Sequence, residues 1–172
     1  LTAVFIDVGQ GDSILLLSGD DAVLVDAGPD ARAQAILNVL SDYAVETLDA
    51  VIATHPHADH IGGLAMVLDT VPVTALYMPR AVTTTETFDR AMRAVEKNAI
   101  DLFAPEVGQE LKLGDSTLTF LYPPPEDFEG DDLNGASIVI RVDSPYGDLL
   151  LTGDAETATE EKLLDAGARL FA

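Results

Sequence analysis

The stretch THPHADHIGG, residues 54–63, carries all three histidines of this 172-residue chain. His55, His57 and His60 fall within six residues, Asp59 is wedged beside the last, and Gly62-Gly63 follows. Directly before it runs LDAVIA (48–53), a continuous apolar segment of the length expected for a strand buried on both faces. Pro56 disfavours helical backbone at His55, so that residue leaves the strand end in an extended conformation. Such strand ends are where open α/β sheets bind ligands. Imidazole nitrogens and carboxylate oxygens are ordinary donors for zinc, manganese or iron. His55 and His57, two apart, reach one ion across a turn. Asp59 and His60, at the start of the next helix, point in different directions and suit a second ion better. Gly62 and Gly63 let backbone crowd close. For one histidine the bland explanation, a surface ring at a strand end, would be the better one. Four donors at this spacing behind a buried strand favour a metal centre.

The rest of the chain alternates strand and helix patterns before turning to hairpins. LTAVFIDVGQGDSILLLSG (1–19) reads as a β-hairpin with a Gly-Gln-Gly-Asp turn at 9–12, and DAVLVDAG (21–28) as a further strand. Asp30 to Asp42 has helical periodicity, with Ala31, Ala35, Ile36, Val39 and Leu40 on one face. Gly62 to Leu68 predicts a helix, VTALYMP (73–79) a strand, and Thr87 to Asn98 an amphipathic helix with Phe88, Met92 and Val95 inward. QELKLGDSTLTFLYPPP (109–125) predicts a hairpin turning at Gly114-Asp115. DFEGDDLNGA (127–136) is a polar acidic loop, and SIVIRVDSPYGDLLLTGD (137–154) a second hairpin around Pro145-Tyr146-Gly147. Ala155 to Ala166 predicts a helix stopped by Gly167. The expected class is α/β: a layered arrangement around a mixed sheet, with helices on the outer faces. No linker divides the chain, so residues 1–172 are expected to form a single domain. It opens on Leu1 in a strand-like run and closes at Ala172 behind a helix-like one, which suggests a piece cut from something longer, incomplete at its C-terminal end.

Composition excludes several functions. No cysteine is present, which removes disulfides and thiolate ligands. Thirty acids against nine bases give a net charge of −21, so no broad basic surface exists to neutralise phosphates. An anionic substrate would then need a cation at the place where it docks. The longest apolar runs are far too short to span a bilayer. Gly9-Gln10-Gly11 is no dinucleotide fingerprint, because the spacing is wrong and no helix follows.

The His-x-His-x-Asp-His string resembles the hallmark of the metallo-β-lactamase fold superfamily. FIDVGQGDSILL and VLVDAG resemble that fold's first strands, and LLLTGDAE (149–156) its later aspartate-bearing strand. Within the superfamily, DVGQGDS, THPHADHIGGL, NGASIVIRV and LLLTGDAE together are similar to the C-terminal domain of ComEC-type DNA-uptake proteins. The likeness runs from Leu1 to about Leu164. It implies an αββα sandwich and two divalent ions, zinc or manganese. It implies that His55 and His57 bind one ion, Asp59 and His60 the other, and Asp154 bridges them. Asp59 would also orient the attacking water, as the catalytic carboxylate.

The pattern departs from many relatives in two ways. No histidine lies between His60 and Asp154, where Asn134 and Ser137 stand in the expected region, and none follows Asp154. The expectation is that metal is held more weakly here than when the native continuation is restored. Other roles stay open between two readings each. Asp12 either sits beside the metals or is a turn residue. Asp7 and Asp26 either orient ligating imidazoles or cap strand ends. Lys112, Arg80 and Arg141 either contact phosphate or are solvated charges. By the resemblance the chain is a metal-dependent hydrolase. More narrowly, it is a nuclease domain that degrades the strand not transported in DNA uptake, acting on single-stranded DNA. It would be a soluble domain attached to the membrane-embedded channel portion of the same bacterial protein, on the outer face of the cytoplasmic membrane. The competing readings are a metallohydrolase of a small ester, thioester or β-lactam, and an inactive docking module.

Overall fold

The computed structural model describes residues 1–81, 83–123, 133–168 and 170. Strands β1 (Thr2–Phe5), β2 (Ile14–Ser18) and β3 (Asp21–Val25) form an antiparallel meander. Three parallel strands extend it: β4 (Ala50–Ile52), β5 (Ala75–Tyr77) and β6 (Asp101–Phe103), giving a six-stranded sheet in the order β1-β2-β3-β4-β5-β6. The parallel joins require crossovers. Helix α1 (Ala33–Asp42) makes the first, α2 (Ala58–Ile61) and α3 (Leu64–Thr70) the second, and α4 (Glu86–Lys97) the third. The second sheet is antiparallel throughout, from β7 (Glu110–Leu113), β8 (Ser116–Tyr122), β9 (Val139–Asp143) and β10 (Leu149–Leu151), in the order β10-β9-β8-β7. Helix α5 (Thr157–Asp165) follows it.

The apolar runs of β2 to β5 are continuous because both faces of these strands are covered. Leu15, Leu24, Val51 and Leu76 pack under the helices with Ile36, Leu40, Leu64, Val67 and Phe88. Their neighbours Leu16, Val23, Val25, Ile52 and Tyr77 point the other way, against Leu113, Leu118, Phe120, Ile140 and Val142 of the second sheet. On the outer side of that sheet Val139 and Tyr122 pack on Leu163 of α5. The layers are therefore helices, sheet, sheet, helix, the αββα sandwich expected.

Most elements fall where the sequence places them, with informative differences. The first hairpin is not tight. Phe5 pairs with Ile14, so residues 6–13 form a long loop rather than a turn at 9–12. The buried face of α1 is Ala33, Ile36 and Leu40, and Ala31 lies exposed in a 3₁₀ turn, Asp30–Arg32. The helix expected after Gly62 starts earlier, at Ala58, and breaks into α2 and α3. A Cβ at Gly62 would stand 2.3 Å from the Asp30 amide nitrogen, so only glycine lets this crossover pack on the 3₁₀ turn. Strand β6 has no counterpart in the sequence reading, being three exposed residues without alternation. The Gly114-Asp115 hairpin is as expected, with Leu113 paired to Ser116. Of the acidic loop, residues 127–132 lie outside the described residues.

Candidate metal centre

The site forms where β3 and β4 end side by side. Asp26 follows β3 and His55 lies three residues beyond β4. The Asp26 amide donates to the Ile52 carbonyl (2.8 Å), which continues the parallel ladder one step past β3. Pro56 and an extended His57 (φ −76°, ψ 149°) then turn the chain into α2, where the His57 carbonyl accepts from the His60 and Ile61 amides. Asp154 arrives from the other sheet, three residues after β10.

Three imidazoles and this carboxylate converge. His55 Nε2 lies 2.9 Å from His57 Nδ1. His60 Nε2 lies 3.2 Å from one oxygen of Asp154, and His55 Nε2 lies 4.0 Å from the other. Ring centroids of His55 and His60 are 4.2 Å apart. His55 and His60 are almost fully buried, while Asp154 is 42% exposed, so the cluster opens on the side of the carboxylate.

Behind the rings, Asp26 is buried and holds left-handed backbone (φ 58°). Its carboxylate accepts from the Thr54 amide (2.7 Å), from Thr54 Oγ1 (2.7 Å) and from His60 Nδ1 (2.8 Å). Thr54 Oγ1 spends its proton on Asp26, so toward His55 Nδ1 at 3.2 Å it is an acceptor. Ser137 Oγ stands 3.4 Å from the same nitrogen. One buried carboxylate thus orients two rings, His60 directly and His55 through a threonine hydroxyl. In both rings Nδ1 keeps a proton, so Nε2 is the nitrogen turned toward the cluster.

Electrostatics follow from this arrangement. Burial, with the charges of His60 and His57, depresses His55 to about 3, so His55 is neutral near pH 7. Burial alone would lower His60 too, but the hydrogen bond and charge of Asp26, aided by Asp154 and Asp59, raise it to about 9. Burial pushes the Asp26 carboxyl up, opposed by His60 and Thr54. Asp26 and His60 act as one coupled unit that retains a proton well above neutrality. Asp59 would be raised by burial, but its own backbone amide, the Gln10 side chain and the neighbouring imidazoles hold it below the usual carboxylate range.

The donors fit a divalent ion. Zinc–nitrogen bonds of about 2.0–2.1 Å in a tetrahedron place neighbouring donors roughly 3.3 Å apart, close to the 2.9 Å and 3.2 Å separations within the cluster. Nitrogen and carboxylate donors without thiolate suit zinc or manganese.

Of the residues singled out from sequence, His55, His60 and Asp154 gather their donor atoms within 4.8 Å, and His57 lies against His55. Asp59 does not join a group of that tightness among the described residues. Its Oδ2 accepts from Gln10 Nε2 at 3.1 Å. The long first loop makes that contact possible, because Gly11 (φ +99°) lies flat on the Asp59 carbonyl, 1.9 Å from where a Cβ would stand. Asp26 orients a ring, whereas Asp7 caps the Gly9 amide. Asp12 forms a second close group with Asp26 and His60. Asn134 Nδ2 donates to Glu156, and Ser137 backs His55. Lys112 pairs with Glu110 and Thr117, and Arg141 with Asp143. Thr54 and Gln10 were not anticipated. A hydroxyl immediately before a strand-end ligand was the available signal for Thr54.

The chain is 25% identical to ComE operon protein 3 of Bacillus subtilis (strain 168), over 93% of this chain and 23% of that protein. It is 30% identical to competence protein ComA of Neisseria gonorrhoeae, over 92% of this chain and 20% of that protein. The chain therefore spans about a fifth of the length of these curated relatives. Among solved structures, a metallo-β-lactamase with a HARLDQ motif from Cronobacter sakazakii matches with a TM-score of 0.64 at 18% identity, covering 90% of this chain and 60% of that one. A Thermotoga maritima protein described as a putative metallo-β-lactamase matches with a TM-score of 0.62 at 16% identity, covering 98% of this chain and 89% of that one. The family model of the metallo-beta-lactamase superfamily spans residues 6–171, and the chain belongs to that superfamily of metal-dependent hydrolases.

Proposed function

We propose that this chain is a metal-dependent phosphodiesterase, a nuclease domain of a ComEC-like DNA-uptake protein that degrades the strand not transported. The choice of substrate rests on one observation: similarity to two competence-associated proteins runs along more than nine-tenths of this chain. The hydrolytic chemistry rests on the donor cluster. His55, His57, His60 and Asp154 would hold zinc or manganese, with Asp59 beside His60 as a further ligand and two ions as the full complement. Bound there, such ions supply Lewis acidity toward a phosphoryl oxygen and activation of water.

The protein's own contributions are specific. Asp26 and Thr54 keep the Nδ1 protons in place and so present Nε2 of His60 and His55 to the ion. Asp59, anchored by Gln10, orients the attacking water. The deficit of basic side chains leaves phosphate charge to the centre itself, where ions held by His55, His57, His60 and Asp154 would neutralise it. The domain belongs to a membrane-attached parent, with the channel portion of the same protein as its neighbour on the outer face of the cytoplasmic membrane. Among the described residues no helix is long and apolar enough to cross a membrane.

The test is hydrolysis of single-stranded DNA in the presence of manganese or zinc. A His57→Ala, Asp59→Ala double variant is the control. Cleavage above that control is expected, and its absence overturns the reading. Turnover of nitrocefin or a thioester in place of DNA would assign the small-substrate alternative.

A further inference from the structure

The donors of the centre are braced from two different sides. His55 and His60 are supported from the buried interior, by Thr54 and Asp26. Asp59 is half-buried, and its support comes from an exposed residue instead. Gln10, on the long loop between β1 and β2, donates from Nε2 to Asp59 Oδ2 at 3.1 Å. Asp59 and Gln10 stand 49 positions apart in the chain, so the contact is made by the fold and not by local geometry.

An exposed glutamine ordinarily samples many rotamers, and holding one of them costs side-chain entropy. Here the backbone on either side of Gln10 is already fixed. The Gly9 amide donates to Asp7 Oδ1 at 3.1 Å, and the Asp12 carbonyl accepts from the Gly28 amide at 2.9 Å. Gly11 lies against the Asp59 carbonyl, in the left-handed backbone that lets it approach so closely. Two adjacent loop residues therefore grip one residue of α2, Gly11 on its backbone and Gln10 on its side chain.

The charges of His60 and His57 act on the Asp59 carboxylate, so it lies beside the rings. Among the described residues it still stands outside the close group of His55, His60 and Asp154. One of its oxygens is engaged by Gln10, and the other is open. A hydrogen bond to the outer oxygen of a ligating carboxylate fixes its orientation, as a partner on the far nitrogen fixes an imidazole. We propose that Gln10 is a positioning residue for the second of two ions: it occupies Asp59 Oδ2, leaves Oδ1 as the single ligating oxygen, and so sets how tightly that ion is held. The first ion depends on the buried supports, and the second on the β1–β2 loop. The proposal rests on the two-ion reading of the centre, with Asp59 as a ligand.

The test titrates metal-free protein with cobalt(II) chloride, followed by calorimetry and by visible d–d absorption. Wild type is expected to take two ions, the first more tightly. Asp59→Ala is the reference and should lose the second. Gln10→Met keeps the length of the side chain without its donor. Gln10→Met and Gln10→Ala are both expected to weaken the second ion about tenfold and to leave the first unchanged. In both, the released carboxylate can chelate through two oxygens, so the absorption of the second cobalt should fall, as it does when coordination number rises. The thermal midpoint of the metal-free variants should stay close to that of wild type. Fewer than two ions in wild type, or a second ion indifferent to Asp59→Ala, overturns the two-ion reading and the role of Gln10 with it. Loss with Asp59→Ala but with neither Gln10 variant overturns the role of Gln10 alone. Equal weakening of both ions in the Gln10 variants, or a lowered metal-free midpoint, makes the loop a general scaffold and overturns it too.

Discussion

Replacing Asp26 by asparagine isolates what the buried carboxylate does, because the shape is kept while one acceptor becomes a donor. Asp26 accepts three short hydrogen bonds, two from Thr54 and one from His60 Nδ1. A carboxamide keeps its oxygen for the Thr54 amide. Its NH₂ then faces the Thr54 hydroxyl, which can reverse and donate elsewhere, and His60 Nδ1, which must give up its proton. The imidazole proton moves to Nε2, the nitrogen that faces Asp154 at 3.2 Å. Hydrogen bonds to a charged group contribute about 1.5–3 kcal/mol each against about 0.5–1.5 for neutral ones. Three weakened bonds would cost roughly 3–4 kcal/mol, partly offset because a neutral amide is easier to bury than a carboxylate. The net loss in stability is about 1–3 kcal/mol. The functional loss is larger in kind: metal affinity should fall about 10–100-fold, as for other partners that orient ligating histidines. Zinc competition against a chromophoric chelator gives the affinity, and nitrogen-15 NMR of the imidazoles gives the tautomer. Thr54→Val serves as the companion, cutting only the link to His55. Unchanged zinc affinity in Asp26→Asn, with His60 still protonated at Nδ1, would refute this account of the centre.

In chelator, stability should peak near pH 6.5. His55, depressed to about 3, loses its contribution as pH falls from 6.5 toward 3, and His60, raised to about 9, loses its contribution as pH rises from 6.5 through 9. Urea midpoints across that range check this, and His60→Gln should flatten the alkaline limb. Gly11→Ala should cost about 1–3 kcal/mol by forcing the loop off the Asp59 carbonyl, read as a lowered thermal midpoint together with weakened zinc binding. Phe120→Ala, which removes a ring 1% exposed in the core between the two sheets, should cost about 3–5 kcal/mol in urea denaturation.

The elements legible in the sequence are those whose pattern reports burial. Runs such as Leu15–Leu17 and Val23–Val25 are apolar because two different cores claim alternate residues. The spacing of Phe88, Met92 and Val95 marks the inner face of α4, where Met92 is half-buried and Ala91 and Ala94 lie fully inward. Strand β6 escaped because its three residues are all exposed, and its membership in the sheet is decided by pairing with β5, a non-local fact. The histidine cluster was readable because its donors are adjacent in sequence. Its supports were only half readable: the sequence leaves Asp26 between orienting an imidazole and capping a strand end, because Asp26 lies 34 residues from His60 and reaches it only through the parallel pairing of β3 and β4. Asp154 was anticipated by resemblance alone, since it arrives from a different sheet.

That last division of origin has a mechanical result. The histidines and Asp26 hang from the six-stranded sheet, whereas Asp154 hangs from the four-stranded one. An ion shared among them would be a rivet through both layers, and slippage of one layer over the other would pull the pocket apart. The interior between the sheets, with Phe120 at its middle, therefore keeps the chemistry in register as well as keeping the protein folded.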